Sequence, residues 1–303
     1  MPDAPIIAAR FGLFAIAGLQ FGVPLFGLYA LRAPERNQLP FRAWLILLGL
    51  GATLVNILGF ALIVARMSGT SLNALDPELT RFILFTAPVG WAFCLRLAAT
   101  VLALGIAVLA PPNRTWLLAA IAALNAVAVA SLAWNGHGAA GEGALAWPHL
   151  IADIVHLLAA GVWLGAIVCL LYLVVRPRPS FADLTLAARC LKNFGTVGTL
   201  VVALLVVTGL INGVAILGDK PFGPGLVSGY LVLMAIKLAL FGLMLALAAW
   251  HRFRLVPQFE RSTGQADMAI ALRRFRLSMV SELLAAVAIL ALVAWLGTLE
   301  PAW

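Results

Sequence analysis

The chain has 303 residues, 63% of them hydrophobic and 11% charged, with a mean hydropathy of +1.05. A soluble domain carries roughly 25% charged residues, so the composition excludes a water-soluble globular protein and indicates a polytopic membrane protein. The net charge of +8 is concentrated in particular loops, which is how a membrane protein sets its orientation and not how a nucleic-acid surface is built.

Apolar runs of about 20 residues are long enough to cross a bilayer. They predict eight helices, over 6–31, 43–65, 82–110, 116–134, 148–175, 194–217, 230–250 and 277–299. The first run lacks a basic n-region and a small-residue cleavage site, so a removed signal peptide is not expected. The longest connections, 66–81 and 251–276, are too short to fold alone. The second is basic and partly amphipathic and is expected to lie along the cytoplasmic surface. The predicted fold is all-α: a polytopic bundle forming a single membrane domain over 1–303.

The connections sort by charge. Arg32, Arg36, Arg42, Arg114, Arg176, Arg178, Arg189, Lys192, Arg252, Arg254, Arg261, Arg273, Arg274 and Arg276 fall in the odd-numbered connections, which is 14 of the 20 basic residues. The opposite side has Arg10, Arg66, Arg81 and Lys220. The positive-inside rule then places the odd connections in the cytoplasm and both termini outside.

The fifth predicted helix carries His149, Asp153 and His156, spaced i, i+4 and i+7, so the three share one stripe. An Asp at the centre of a membrane helix costs about 2.5 to 3.5 kcal/mol on insertion scales, which makes this stripe the first place to look for function. The fifth helix starts outside, so the stripe descends from the external face. His137 lies in the glycine-rich loop just before it, WNGHGAAGEGALAWPHL, and is expected to fold back over the mouth toward His149. Three histidines with a carboxylate suit copper or zinc. Glu142 in the same loop is a further donor or simply solvated.

Met67 and Met234 stand at the right level to add ligands, although either is more often packing. Other polar groups lie within spans: Asn56, Arg96, Asn125, Thr208, Asn212, Lys237 and Glu282. Ionisable groups at depth usually pair inside the bundle, so depth alone suggests Arg96 with Glu282 and Lys237 with Asp153; the latter pairing would compete with metal binding by Asp153. His251, beside Arg252 and Arg254, reads as interfacial. Cys94, Cys169 and Cys190 form no CxxC or disulfide framework. No Walker, GxSxG, HExxH or dinucleotide motif is present, and an enzymatic role is not expected.

In these residues the chain resembles the copper-resistance D (CopD) family of bacterial inner-membrane proteins. The resemblance runs from RFGLFAIAGLQFGVPLFGLYAL through the GHG loop, HLIADIVHLLAAGVWLG and SGYLVLMAIKLALFGLMLALAAWHRFRLVP to SELLAAVAIL. It implies a multi-pass inner-membrane protein handling copper, alongside a separate periplasmic copper-binding C-type protein. The family's polar pattern falls here on His137, Asp153, His156, Trp163, Lys237 and Glu282; His149 rests mainly on the stripe.

The leading expectation is copper transport through an outward-facing histidine site. Uptake from the periplasm fits that placement, although an exit would use the same mouth. Two other classes stay open: a haem-bearing or copper-reducing redox protein, which would need axial ligands from two helices, and a non-transporting copper sensor or docking subunit.

Overall fold

The computed structural model describes residues 4–110, 114–135, 146–175, 181–217, 229–255, 257 and 265–299. His137 and Glu142 therefore lie outside the described residues. Among the described residues there is no strand, and eight helices are long and apolar enough to cross a membrane.

The helices are α1 (Ala4–Tyr29), α2 (Phe41–Ser68), α3 (Pro77–Thr86), α4 (Pro88–Leu109), α5 (Thr115–Ala130), α6 (Ala146–Val175), α7 (Phe181–Leu217), α8 (Gly229–Trp250) and α9 (Gln265–Leu296). All except α3 are the predicted spans. Short 3-10 turns join α1 to α2 and extend α5, and a π-turn over His251–Leu255 extends α8.

Three boundaries differ from the sequence reading. The run predicted over 82–110 is split at Ala87, which is extended (φ −85°, ψ 143°) before Pro88. Proline disfavours the helical conformation of the residue before it, so α3 ends there and α4 starts on the proline. Gly90 makes the fold-back possible, because a Cβ there would collide with the carbonyls of Ile83 and Leu84. Helix α3 stays at the rim with Phe82 and Phe85 exposed. The other two differences share one cause. Helices α7 and α9 begin 13 and 12 residues before the predicted spans, because a helix continues past the point where its sequence stops being apolar. The segment 265–276, expected along the membrane surface, is instead the first part of α9.

Helix α1 is central, packing against α2, α5, α6 and α9. Its crossing with α6 brings the two backbones into contact. Gly18 and Gly22 meet Gly161 and Gly165, and a Cβ at Gly22 or Gly165 would overlap the partner backbone. This small-xxx-small arrangement lets membrane helices approach without a hydrophobic driving force. Below it, Phe26, Leu118, Ile121, Leu170, Leu173 and Phe275 pack in the largest buried cluster. Leucines such as Leu47, Leu54, Leu102, Leu210 and Leu238 point outward, which suits a surface bathed in lipid.

Contacts at the two ends fix the chain's direction relative to itself. At one end Arg10 donates to the Asn135 carbonyl (2.9 Å), and Asn212 of α7 reaches Asp153 of α6 (3.4 Å). At the other end Arg189 pairs with Glu35 (2.5 Å), and Arg36 donates to Thr115 (2.9 Å). Arg36, Arg189 and Arg276 make their contacts at this second end.

Candidate metal site

The predicted stripe lies on α6 near its first turns, with His149 buried and Asp153 and His156 half-buried. A helix rises 1.5 Å per residue, so His149 and His156 are about 10 Å apart along the axis and cannot both hold one ion without help. Consistently, no group of three His, Cys, Asp or Glu converges among the described residues. The stripe offers at most a pair of ligands per ion, and any completing donor comes from another element.

What the structure brings to the stripe is α7 and α8. His156 Nδ1 lies 2.9 Å from Thr208 Oγ1, and the Thr208 hydroxyl lies 2.6 Å from the Leu204 carbonyl. A carbonyl can only accept, so the hydroxyl proton points to Leu204. Thr208 Oγ1 must then accept from His156 Nδ1–H. That bond fixes the imidazole tautomer and leaves Nε2 with its lone pair free. It is the outer support metal-binding histidines usually receive. The ring's Cε1 edge lies over Gly209, 3.7 Å from where a Cβ would sit, so α7 presents no side chain at that edge.

Asp153 accepts from Asn212 Nδ2, while Asn212 Oδ1 is buried without a hydrogen-bond partner. Lys237 of α8 exerts its charge on Asp153 and His156, and Arg10 of α1 on Asp153. From the sequence, Arg10 counts only among the basic residues of the outer side. Met234 is half-buried on α8 and Met67 is exposed at the end of α2.

Seven residues below His156, Trp163 is almost fully buried, with its indole N–H unpartnered and its ring 6.2 Å from Phe241 in an edge contact. Trp163 shares a core cluster with Met244, Leu205 and Ala285.

The predicted pairing of Arg96 with Glu282 does not form. Arg96 of α4 is 3% exposed and donates to Asn56 Oδ1 and Ser131 Oγ. Equal depth does not give equal azimuth: α4 packs on α2 and α5, whereas α9 packs on α8, α1 and α6. Glu282 instead faces His251, with Oε1 3.3 Å from Nδ1. His251 is therefore not interfacial; it is 4% exposed and its Nε2 lies 2.5 Å from Ser278 Oγ. The flanking arginines had suggested a headgroup position. A recognisable signal was available in the seven-residue spacing Lys237, Met244, His251, which places all three on one face of α8.

Among the described residues, His156 and His251 lie at opposite ends of the bundle, and His149 shares a helix with His156. No two histidines there face each other from separate helices, as a bis-histidine haem would need.

Residues 1–147 match the family described as copper resistance protein D-like, N-terminal domain, and residues 188–296 match copper resistance protein D. Copper resistance protein D of Pseudomonas syringae pv. tomato is 41% identical, over 99% of this chain and 98% of that protein. The chain belongs to the copper resistance protein D family. A second relative, inner membrane protein YebZ of Escherichia coli (strain K12), is 25% identical over 86% of this chain and 87% of its own length. No solved structure matches. As a family member with eight spans, the chain is a multi-pass inner-membrane protein with a role in copper resistance and homeostasis.

Proposed function

We propose that the chain carries copper across the inner membrane, taking it up from the periplasm through the His156 end of the bundle. The observation that carries this reading is the Leu204–Thr208–His156 relay, which holds an imidazole half-buried in a membrane helix with Nε2 unprotonated. A neutral, oriented imidazole is the form that ligates copper. The Asp153 carboxylate and the His149 ring lie on the same stripe toward the start of the helix, and His137, outside the described residues, is the further ligand expected from the sequence. Lys237 and Arg10 offset the charge of Asp153, which makes His156 the principal ligand and Asp153 the weaker one. By the charge of the connections, this end faces outward. A separate periplasmic copper-binding protein of the C type is the natural donor to it. No covalent chemistry is required of the chain, which acts as a conduit and not as an enzyme.

The test is His156→Ala in intact cells and in the purified protein. Copper accumulation should fall, and copper affinity should drop by about tenfold or more. Unchanged accumulation together with unchanged binding would overturn the proposal. Reconstitution into liposomes with copper outside, under oxidising and then reducing conditions, reads direction and oxidation state.

A further inference from the structure

The His251–Ser278–Glu282 cluster lies at the end of the bundle opposite His156, and nothing in the reading above uses it. All three side chains are at least 96% buried, at 4%, 4% and 2% exposure. Ser278 and Glu282 are four residues apart on α9, so they share a face. His251 opens the π-turn that extends α8; such turns often mark functional positions.

At Glu282 a buried carboxylate faces a buried imidazole across the contact between the π-turn and α9. Oε1 is buried and has no hydrogen-bond partner, although His251 Nδ1 is 3.3 Å away. The other ring nitrogen, Nε2, is engaged with Ser278 Oγ at 2.5 Å. Among the described residues Ser278 Oγ has no other partner, so its hydroxyl proton is directed at Nε2 and the ring proton sits on Nδ1, facing Glu282 Oε1. A metal ion can take the place of that proton, because imidazole and carboxylate ligate metals in their deprotonated forms. Metal–nitrogen and metal–oxygen bonds of about 2.0–2.2 Å span a 3.3 Å separation at a near-tetrahedral angle. Of the nearby arginines, Arg252 donates to Thr199 Oγ1 (2.5 Å) and Gly195 O (3.3 Å), and Arg276 to Val174 O.

The cluster also lies in line with the first site. Every seventh residue of α8 from Tyr230 gives Lys237, Met244 and His251; every seventh of α6 from His149 gives His156 and Trp163. These two stripes meet in the cluster that holds Trp163 and Met244.

We propose that His251 Nδ1 and Glu282 Oε1 form a second copper-binding position, the inner station of the route that His156 begins, with Ser278 orienting the ring. This rests on the copper reading given above. The experiment uses the chain's small number of histidines, four in all. A triple variant, His137→Ala, His149→Ala and His156→Ala, carrying a histidine-free tag, leaves His251 as its sole imidazole. Purified in nanodiscs and loaded with copper(II), it should still bind copper with imidazole-nitrogen coupling in its electron paramagnetic resonance spectrum. X-ray absorption after reduction should show the same nitrogen. Adding His251→Gln or Glu282→Gln should abolish that binding, and Ser278→Ala should weaken it about tenfold.

A folded triple variant that binds copper in neither oxidation state overturns the proposal. So does nitrogen coupling that survives His251→Gln; either result leaves a hydrogen-bonded brace between α8 and α9. If the triple variant does not fold, His251→Gln in the otherwise native chain decides, by losing one ion per chain or losing none. The outer site fails separately, by His156→Ala leaving the copper content of the native chain unchanged.

Discussion

Thr208 decides what His156 can do. A threonine inside a helix commonly returns its hydroxyl to the carbonyl four residues back, and here that habit turns Oγ1 into an obligatory acceptor for the imidazole. Thr208→Val keeps the shape of the side chain and removes the acceptor. The expected result is a fold that melts near the parent temperature while copper affinity drops about 10–100-fold, read by competition with a chelator. An unaltered affinity would mean that Nε2 is held ready by something other than Thr208. This residue was legible as a polar group within a span. Its partner was not, because apolar periodicity gives depth along a helix but not which neighbour a side chain meets. The same gap separates the expected Arg96–Glu282 pair from the observed one. It also hid His251, whose two arginine neighbours in sequence point away from the pocket that α9 builds around it.

Among the elements, the crossing of α1 with α6 has the least tolerance. Gly22 and Gly165 lie backbone against backbone, so Gly165→Val must push the helices apart. Overpacking of this kind costs about 1–3 kcal/mol or more, and with backbone as the obstacle the upper end is expected. Gly105 has nothing within 4 Å of a built Cβ, so Gly105→Ala should be neutral or stabilise by up to about 1 kcal/mol. Thermal unfolding in detergent compares the two; equal effects would show that the crossing is not close. The eight spans themselves were readable, since about 20 apolar residues leave few alternatives. Their ends were less so, because hydropathy marks where lipid stops and not where hydrogen-bonded turns stop. Helices α7 and α9 therefore run past their apolar limits, and Pro88 divides a run whose composition looks continuous.

For the whole molecule, the end that holds His251 is tied by charge. Arg189 of α7 reaches Glu35 in the turn between α1 and α2. Partial burial raises the Glu35 carboxyl, but the Arg32 backbone N–H and the Arg189 guanidinium outweigh it and hold it below its ordinary value. A carboxyl lowered in the folded state contributes stability above its unfolded pKa, about 4.3, and loses that contribution as pH falls through the lower folded value. Arg189→Gln should therefore cost at most about 1 kcal/mol at neutral pH, and the difference from the parent should vanish in strong acid. Melting curves at both ends of that range check it; a gap that persists in acid would assign the loss to packing.

The glycine contact has a further consequence for motion. The backbones of α1 and α6 interlock, α7 packs along the same α6, and α8 packs on α9; α7 and α8 are the least buried of the spans. His156 belongs to α6 and Thr208 to α7. The His156–Thr208 hydrogen bond thus spans the contact between α6 and α7, so any displacement of α7 from α6 would also release the ring.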